Sequence, residues 1–292
     1  MQGLAFYNPI AAAVYFICAA GVAMFTMNPL LLALSCAGAL SFDIALRGLR
    51  GRQGRLPLFI LFAVMALINP LTHHNGATVL FVMNDNPVTL EAFIYGLNAS
   101  AMIIGVLFWF RSFSRIMTSD RLLYLFGRLS PKAALILSMA LRYVPLFGRQ
   151  AKRINSAQKA LGLYKDDNAI DALRGGLHVF SALVTWALEN GITTADSMSA
   201  RGYGVSRRTS YAPFRFGRAD ACLTLLCVLL AGAVCAGLAS GALAFRYYPR
   251  IVSAPLSPLA CVSYAAYACL AALPTILEIG ESLKWRCLKS KT

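Results

Sequence analysis

Two segments in the middle of the chain end in the same way, with a small residue, a long side chain and a glycine. They are Ala200-Arg201-Gly202 and Ala160-Leu161-Gly162. A glycine directly after a helix takes the left-handed conformation that closes the last turn, so both segments are predicted to be helix C-termini. The helix dipole favours a positive charge there, and the planar guanidinium of Arg201 suits bidentate pairing with a carboxylate. We therefore predict a docking contact for an acidic group of a partner; the simpler alternative is a helix end with a solvated arginine.

An acidic cluster raises the question of metal chemistry. The segment Asp166-Asp167-Asn168-Ala169-Ile170-Asp171 is close to the Asp-Asp-x-x-Asp motif with which membrane prenyltransferases hold magnesium and diphosphate. Its spacing is one residue longer, and the chain has no second copy. Aspartates that break and cap helices are the better interpretation. A membrane-embedded, magnesium-dependent transferase of the prenyltransferase type is the alternative function, and we predict no metal site.

The remaining polar candidates are isolated. The eight cysteines include no Cys-x-x-Cys pair, and His73-His74 is typical of a solvated loop. Asp43 and Glu91 stand near the ends of apolar runs and are predicted to be interface residues. The chain also has no Gly-x-x-x-x-Gly-Lys-Ser/Thr loop to hold phosphates. We therefore predict no ATPase site in this chain, and we expect that it is not an enzyme.

The composition is that of a polytopic membrane protein. Of the 292 residues, 58% are hydrophobic and 13% are charged, about half the charged fraction of a typical soluble domain. Apolar runs near the length of a transmembrane helix predict an all-α fold with about six transmembrane helices. These runs lie at about 10–27, 29–46, 56–72, 90–110, 220–245 and 257–277.

The basic residues predict the orientation in the membrane. Of the 27 lysines and arginines, 25 lie on one side of the predicted spans; Arg246 and Arg250 lie on the other. Because basic loops remain in the cytoplasm, we expect both termini and the long central segment to be cytoplasmic. The net charge of +15 follows this topology, so we expect contact with membrane lipid and no binding of nucleic acid.

Three regions follow from this pattern. We expect about four transmembrane helices in 1–110, helices in the cytoplasm or at the membrane base in 111–218, and about two transmembrane helices with a basic tail in 219–292. Within the middle region, Thr118-Ser119-Asp120 is predicted to cap a short amphipathic helix. Ser130-Pro131 is predicted to open the next helix, and Pro145 to kink it.

Four motifs of this chain resemble one family of membrane transport proteins. They are Leu141-Arg142-Tyr143-Val144-Pro145, Ala157-Gln158-x-Ala160-x-Gly162, Ala200-Arg201-Gly202-Tyr203-Gly204, and the stretch from Asn69-Pro70 to Tyr95-Gly96. Together they make about residues 40–205 similar to the T component of energy-coupling factor (ECF) transporters. The resemblance implies a subunit of a prokaryotic inner or plasma membrane. Its partners would be two cytoplasmic ATPase subunits, A and A′, and a substrate-binding S component for vitamins or transition-metal ions.

The resemblance also assigns roles to residues. In the family, two coupling helices end in Ala-Arg-Gly, and each arginine binds an acidic site on an ATPase. Ala200, Arg201 and Gly202 match in full, whereas Ala160, Leu161 and Gly162 carry leucine in place of arginine. Lys159 and Leu161 both remain candidates for the first contact, and Arg142 and Gln158 are secondary candidates. No cofactor is expected in this chain, because the partner ATPases would bind ATP and magnesium.

Overall fold

The computed structural model describes residues 3–4, 6–48, 54–72, 76–83, 86–162, 169–205, 214, 216–255 and 257–289. The chain divides into two compact units. Unit 1 comprises Met1–Leu122 and Phe214–Thr292, and unit 2 comprises Leu123–Pro213. The described helices are α1 (Pro9–Phe25), α2 (Pro29–Arg47), α3 (Leu56–Thr72), α4 (Leu90–Ile116), α5 (Ser119–Leu129), α6 (Pro131–Ala160), α7 (Ala169–Ala200), α8 (Arg218–Ala239) and α9 (Pro258–Lys289).

Two short antiparallel hairpins accompany the helices. Strand β1 (Val79–Met83) pairs with β2 (Asn86–Thr89), and β3 (Phe245–Arg246) pairs with β4 (Val252–Ser253). The sequence analysis predicted neither hairpin. Helices nevertheless dominate the chain, and the prediction of an all-α polytopic membrane protein is confirmed.

Each of the six apolar runs forms a helix, although only some are long enough to cross a bilayer. Among the described residues, four helices are long and apolar enough: α2, α4, α8 and the segment Pro258–Lys284 of α9. Helices α1 and α3 are apolar but have 17 residues each. At 1.5 Å per residue they reach about 26 Å, short of a hydrocarbon core of about 30 Å.

The predicted run 220–245 is too long at its C-terminal end. Helix α8 stops at Ala239, because Ser240 caps it and Gly241 follows with a φ of +73°. This is the glycine signal for a helix end, and residues beyond it form a turn and the β3–β4 hairpin. Helix α4, by contrast, is longer than predicted and continues six residues past the predicted boundary to Ile116.

Local capping explains where several helices begin. The amide N–H of Ile10 donates to Asn8 Oδ1 (3.0 Å), and that of Leu30 donates to Asn28 Oδ1 (3.1 Å). In both cases a proline occupies the first helical position, where its missing N–H costs nothing. Ser130 caps α6 in the same way, as predicted, by accepting from the N–H of Ala133.

Aromatic rings fill the core of unit 1. Tyr15 and Phe16 of α1 make edge contacts with Trp109 of α4, and Phe42 of α2 packs on the same indole. The indole N–H donates to Ser35 Oγ at 3.1 Å, so the one polar atom of Trp109 is satisfied in the core.

Hydrogen bonds at the two ends of unit 1 show which helix ends lie close together. At one end, the N–H of Gly3 donates to Glu278 Oε2 (2.6 Å), and that of Asn8 donates to Asp220 Oδ1 (2.7 Å). At the other end, Asn28 Nδ2 donates to the Leu243 carbonyl (3.1 Å) and Tyr247 donates to the Met27 carbonyl. The start of α1, the start of α8 and the later part of α9 therefore share one end of the unit.

Helices α6 and α7 pack against each other in unit 2. The Tyr143 and Thr194 hydroxyls are 3.0 Å apart, and the rings of Phe147 and Trp186 are 5.9 Å apart in an edge-to-face contact. Four residues forward on α6 thus correspond to eight residues back on α7, so the helices run in opposite directions. Helix α6 continues from Pro131 to Ala160 with Pro145 inside it.

Candidate partner-binding site

The C-terminus of α7 closes in the manner predicted from its glycine. Gly202 has a φ of +77°, its N–H donates to the Ser199 carbonyl (3.0 Å), and the N–H of Tyr203 donates to the Met198 carbonyl (3.0 Å). This pair of hydrogen bonds is the Schellman motif, which leaves Arg201 as the cap residue. Arg201 is exposed to solvent. The chain therefore presents a guanidinium at a rigid helix end.

The C-terminus of α6 also closes at a glycine in the left-handed conformation, with a different cap residue. Gly162 has a φ of +67°, and its N–H donates to the Lys159 carbonyl at 3.0 Å. The preceding cap residue, Leu161, is 76% exposed. A leucine side chain this exposed would gain free energy if a partner covered it. Lys159 is also exposed, whereas Gln158 is half-buried.

A cleft of about 460 Å³ lies between α6 and α7 beside the α7 tip. Both Arg142 and Arg201 line it, and no aspartate or glutamate is among the described residues that do. The other lining residues are mainly hydroxyl, amide and apolar side chains: Leu135, Met139, Tyr143, Asn190, Thr193, Thr194, Ser197, Met198 and Tyr203. The cleft thus combines two positive charges with a neutral wall, which suits a carboxylate.

The threonine and serine hydroxyls of the wall already donate their protons to backbone carbonyls. Thr194 donates to the Asn190 carbonyl (2.7 Å), and Ser197 donates to the Thr193 carbonyl (2.8 Å). Asn190 Nδ2 donates to the Trp186 carbonyl at 2.9 Å. Donors used within the helix are not available to an anion, which leaves Arg142 and Arg201 as the charged donors among the described lining residues.

The two helix tips point away from each other. Leu161 is 18 residues beyond Tyr143, and Arg201 is seven residues beyond Thr194, which Tyr143 contacts. At 1.5 Å per residue, the α6 tip lies about 27 Å and the α7 tip about 10 Å from that contact. Because the helices are antiparallel, these distances extend in opposite directions. One small docking point cannot receive both tips.

The structure shows a buried charge centre that the sequence analysis missed. Asp43 has no exposed surface, and its carboxylate contacts the Nε atoms of Arg47 (2.9 Å), Arg55 (2.8 Å) and Arg111 (3.7 Å). Asp43 is therefore more than the interface residue that was predicted. The spacing of Asp43 and Arg47, four residues apart in a helix, was the available signal. Arg111 is distant in sequence and gave none.

Glu91 also has a structural partner. It is buried at the start of α4, and both of its carboxylate oxygens accept from the N–H of Thr78 at 3.3 Å. The carboxylate thereby holds the segment before the β1–β2 hairpin against the start of α4. This agrees with a residue at the end of a span.

The features of the alternative enzyme function lie mostly outside the described residues. Asp166, Asp167 and Asn168 are among the undescribed positions, as is His73-His74; Asp171 lies in the first turn of α7. Within the part of the chain that is described, no three His, Cys, Asp or Glu side chains are grouped so as to hold a metal ion. The geometry adds no support to the magnesium-dependent transferase.

The fold and site define a multi-pass α-helical membrane protein with a pair of long helices whose tips are exposed. Comparison with known proteins gives the family: the sequence model of CbiQ, described as cobalt transport protein, matches residues 3–211. The chain belongs to this family, and both helix tips lie inside the matched region.

Two curated relatives are similar over shorter stretches. The chain is 32% identical over 101 residues to the energy-coupling factor transporter transmembrane protein EcfT of Listeria innocua, covering 34% of this chain and 38% of that protein. It is 31% identical over 98 residues to the uncharacterized protein MG181 homolog of Mycoplasma pneumoniae, covering 33% of this chain and 23% of that protein. Each match thus spans less than two-fifths of the relative. The predicted resemblance to the T component family is confirmed by these comparisons.

Proposed function

We propose that this chain is the membrane-embedded energy-coupling (T) component of an ECF-type importer. Unit 1 would hold a substrate-binding S component in the membrane, and unit 2 would dock two cytoplasmic ATPase subunits, A and A′. Those subunits would bind ATP and magnesium, so the chain itself would need no cofactor and catalyse no reaction. The cargo class would be vitamins or transition-metal ions, taken up across the plasma membrane of a prokaryotic cell.

The observation that carries the proposal is the exposed Arg201 at the Schellman-capped end of α7. A guanidinium pairs well with a carboxylate on a partner surface. Once the pair is desolvated, removing the arginine leaves the carboxylate buried and unpaired, which costs about 2–5 kcal/mol. Such a contact would couple movement of an ATPase to this chain.

The opposite directions of the two tips support a pair of docking points. If the α7 tip binds one ATPase through Arg201 and the α6 tip binds the other through Leu161, closure of the ATPase pair would draw the two tips together. Helices α6 and α7 would then act as levers about their contact at Tyr143 and Thr194. Arg142 lines the same cleft as Arg201 and would supply a second charge to the acidic site. Gln158 and Lys159 would contribute to the contact at the α6 tip.

An affinity purification of the tagged full chain from gently solubilised membranes tests the proposal. Mass spectrometry of the purified material should find two ATPase chains and a small hydrophobic subunit in near-stoichiometric amounts. The identity of that subunit would point to the cargo. If the chain is recovered alone in detergents that preserve ECF complexes, the T component function is wrong, and magnesium-dependent transferase activity becomes the next assay.

A further inference from the structure

Three arginines surround Asp43 at one end of unit 1. Arg47 is the last residue of α2, Arg55 directly precedes α3, and Arg111 lies near the end of α4. Their Nε atoms are 2.9, 2.8 and 3.7 Å from the Asp43 carboxylate. Within the described part of the chain, Asp43 is the carboxylate that forms ion pairs with all three. Three positive charges therefore face one negative charge.

The three guanidiniums are not equivalent. Arg55 is largely buried and is held at two points, because it donates from Nε to Asp43 and from one terminal nitrogen to the Gly48 carbonyl at 2.8 Å. The side chains of Arg47 and Arg111 retain 25% and 18% of their exposure. Arg111 donates to the Gly54 carbonyl, which fixes its position. Arg47 and Arg111 thus form the accessible side of the cluster, and Asp43 and Arg55 form its base.

The cluster lies where a bilayer surface would meet the helices. Helices α2 and α4 are both long and apolar enough to cross a membrane, and the cluster is at their C-terminal ends. Grouped guanidiniums in a partly desolvated position repel one another, and one carboxylate does not balance three of them. An anion that can accept several N–H donors at once would relieve this repulsion. A phosphodiester has this chemistry, and guanidinium binds it in a bidentate manner.

We propose that Arg47 and Arg111 form a binding site for the phosphate of an anionic phospholipid, with Asp43 and Arg55 holding the two guanidiniums in place. The lipid is the source of the phosphate because basic sites between the ends of membrane helices face headgroups rather than bulk solution. This site is distinct from the ATPase contact of unit 2. A lipid bound here would fasten the ends of α2 and α4 to the bilayer surface.

Native mass spectrometry of the full chain, delipidated in mild detergent and titrated with phosphatidylglycerol, tests the proposal. We expect a saturable lipid adduct, and we expect Arg47→Gln to weaken it about tenfold, the effect of losing one charged hydrogen-bonding group. Arg47 is suited to substitution because Asp43 keeps its pair with Arg55. Arg246→Gln, which removes an exposed arginine between α8 and α9, is the matched control and should leave the affinity unchanged.

Three outcomes would overturn the site. Equal phosphatidylglycerol affinity of the native chain and Arg47→Gln would exclude Arg47 from binding. Saturation by inorganic phosphate at the same concentrations, with loss of the lipid adduct, would mean that a free anion is the ligand. Equal binding of phosphatidylcholine would mean that the chain selects no anionic headgroup.

A conservative variant, Arg47→Lys, should bind lipid better than Arg47→Gln. The elution volume of each variant on gel filtration reports whether it is folded.

Discussion

At the scale of the residue, Arg201 carries the largest expected effect on assembly. It is exposed on a rigid helix end and shares its cleft with Arg142. Arg201→Ala should weaken ATPase association by about 2–5 kcal/mol, because a partner carboxylate is left without its pair. Arg201→Glu should abolish the association, since like charges then face each other. Quantitative co-purification of the ATPase subunits measures both effects.

Arg174 supplies the control for that experiment. It is exposed on the same helix, and it does not line the cleft. Arg174→Ala should therefore leave ATPase recovery at the native level. If Arg201→Glu, like Arg174→Ala, binds the ATPase subunits and supports uptake at the native level, Arg201 is a solvated helix end and not a coupling contact.

Leu161 tests whether the two tips bind by different chemistry. Its side chain is 76% exposed in the isolated chain, and burying a leucine side chain contributes about 1.5–3 kcal/mol. We expect Leu161→Ser to reduce ATPase recovery about tenfold or more. Leu188→Ser, at a leucine that is 64% exposed on α7, is the control and should have little effect.

Leu161→Arg separates the two interpretations of the first tip. An apolar partner pocket would reject the guanidinium, so assembly should weaken as it does in Leu161→Ser. Undiminished or improved recovery of the ATPases in Leu161→Arg would show instead that the tip is a degenerate form of the arginine contact. Lys159 would then be the residue to substitute next.

At the scale of the element, helix packing in unit 1 depends on a glycine between α2 and α9. A Cβ added at Gly38 would lie 2.6 Å from Ala271 Cβ and 2.9 Å from the Ala271 carbonyl oxygen. Both distances are shorter than van der Waals contact, so Gly38→Ala should separate the helices and cost about 1–3 kcal/mol. A lowered midpoint in thermal unfolding of the detergent-solubilised protein measures this.

Gly21→Ala is the matched control, because a Cβ at that position of α1 meets no atom within 4 Å. Alanine has the higher helix propensity, so this variant should be as stable as the native chain or slightly more stable. Equal unfolding midpoints for the two variants would show that α2 and α9 do not approach closely at Gly38.

Elements that depend on local chemistry were predictable from sequence. The ends of α6 and α7 followed from Gly162 and Gly202, and the start of α6 followed from Ser130-Pro131. The early end of α8 was signalled by Gly241, although the hydrophobic run continued past it. In each case the glycine or proline constraint acts within a few residues, so the sequence contains it directly.

Features that depend on packing between elements were not predictable. The Asp43 centre needs Arg111, which is 68 residues away along the chain, and no pattern in the sequence connects the two. The cleft beside Arg201 depends on the register in which α6 crosses α7, set by the contact of Tyr143 with Thr194. A one-turn shift of either helix would leave the sequence motifs intact and move Arg142 away from Arg201.

At the scale of the whole molecule, two hydrogen bonds in unit 1 show which chain segments lie on the same side of the membrane. Gly3 is bonded to Glu278, and Asn8 to Asp220, so the first described residues and the later part of α9 lie at one end of the unit. The Asp43 cluster contains Arg47, Arg55 and Arg111, and the positive-inside rule predicts a cytoplasmic position for such residues. Arg246 and Arg250 lie in the connection between α8 and α9.

Reporter fusions test the orientation that follows. Green fluorescent protein fused to either end of this chain should fluoresce, because both ends are expected in the cytoplasm. Alkaline phosphatase inserted after Gly241, which is exposed and follows α8, should be active because it is exported. The opposite pattern, with non-fluorescent green fluorescent protein at the ends and inactive phosphatase after Gly241, would invert the chain. Unit 2 could then not reach cytoplasmic ATPases, so this result would also refute the T component function independently of any Arg201 variant.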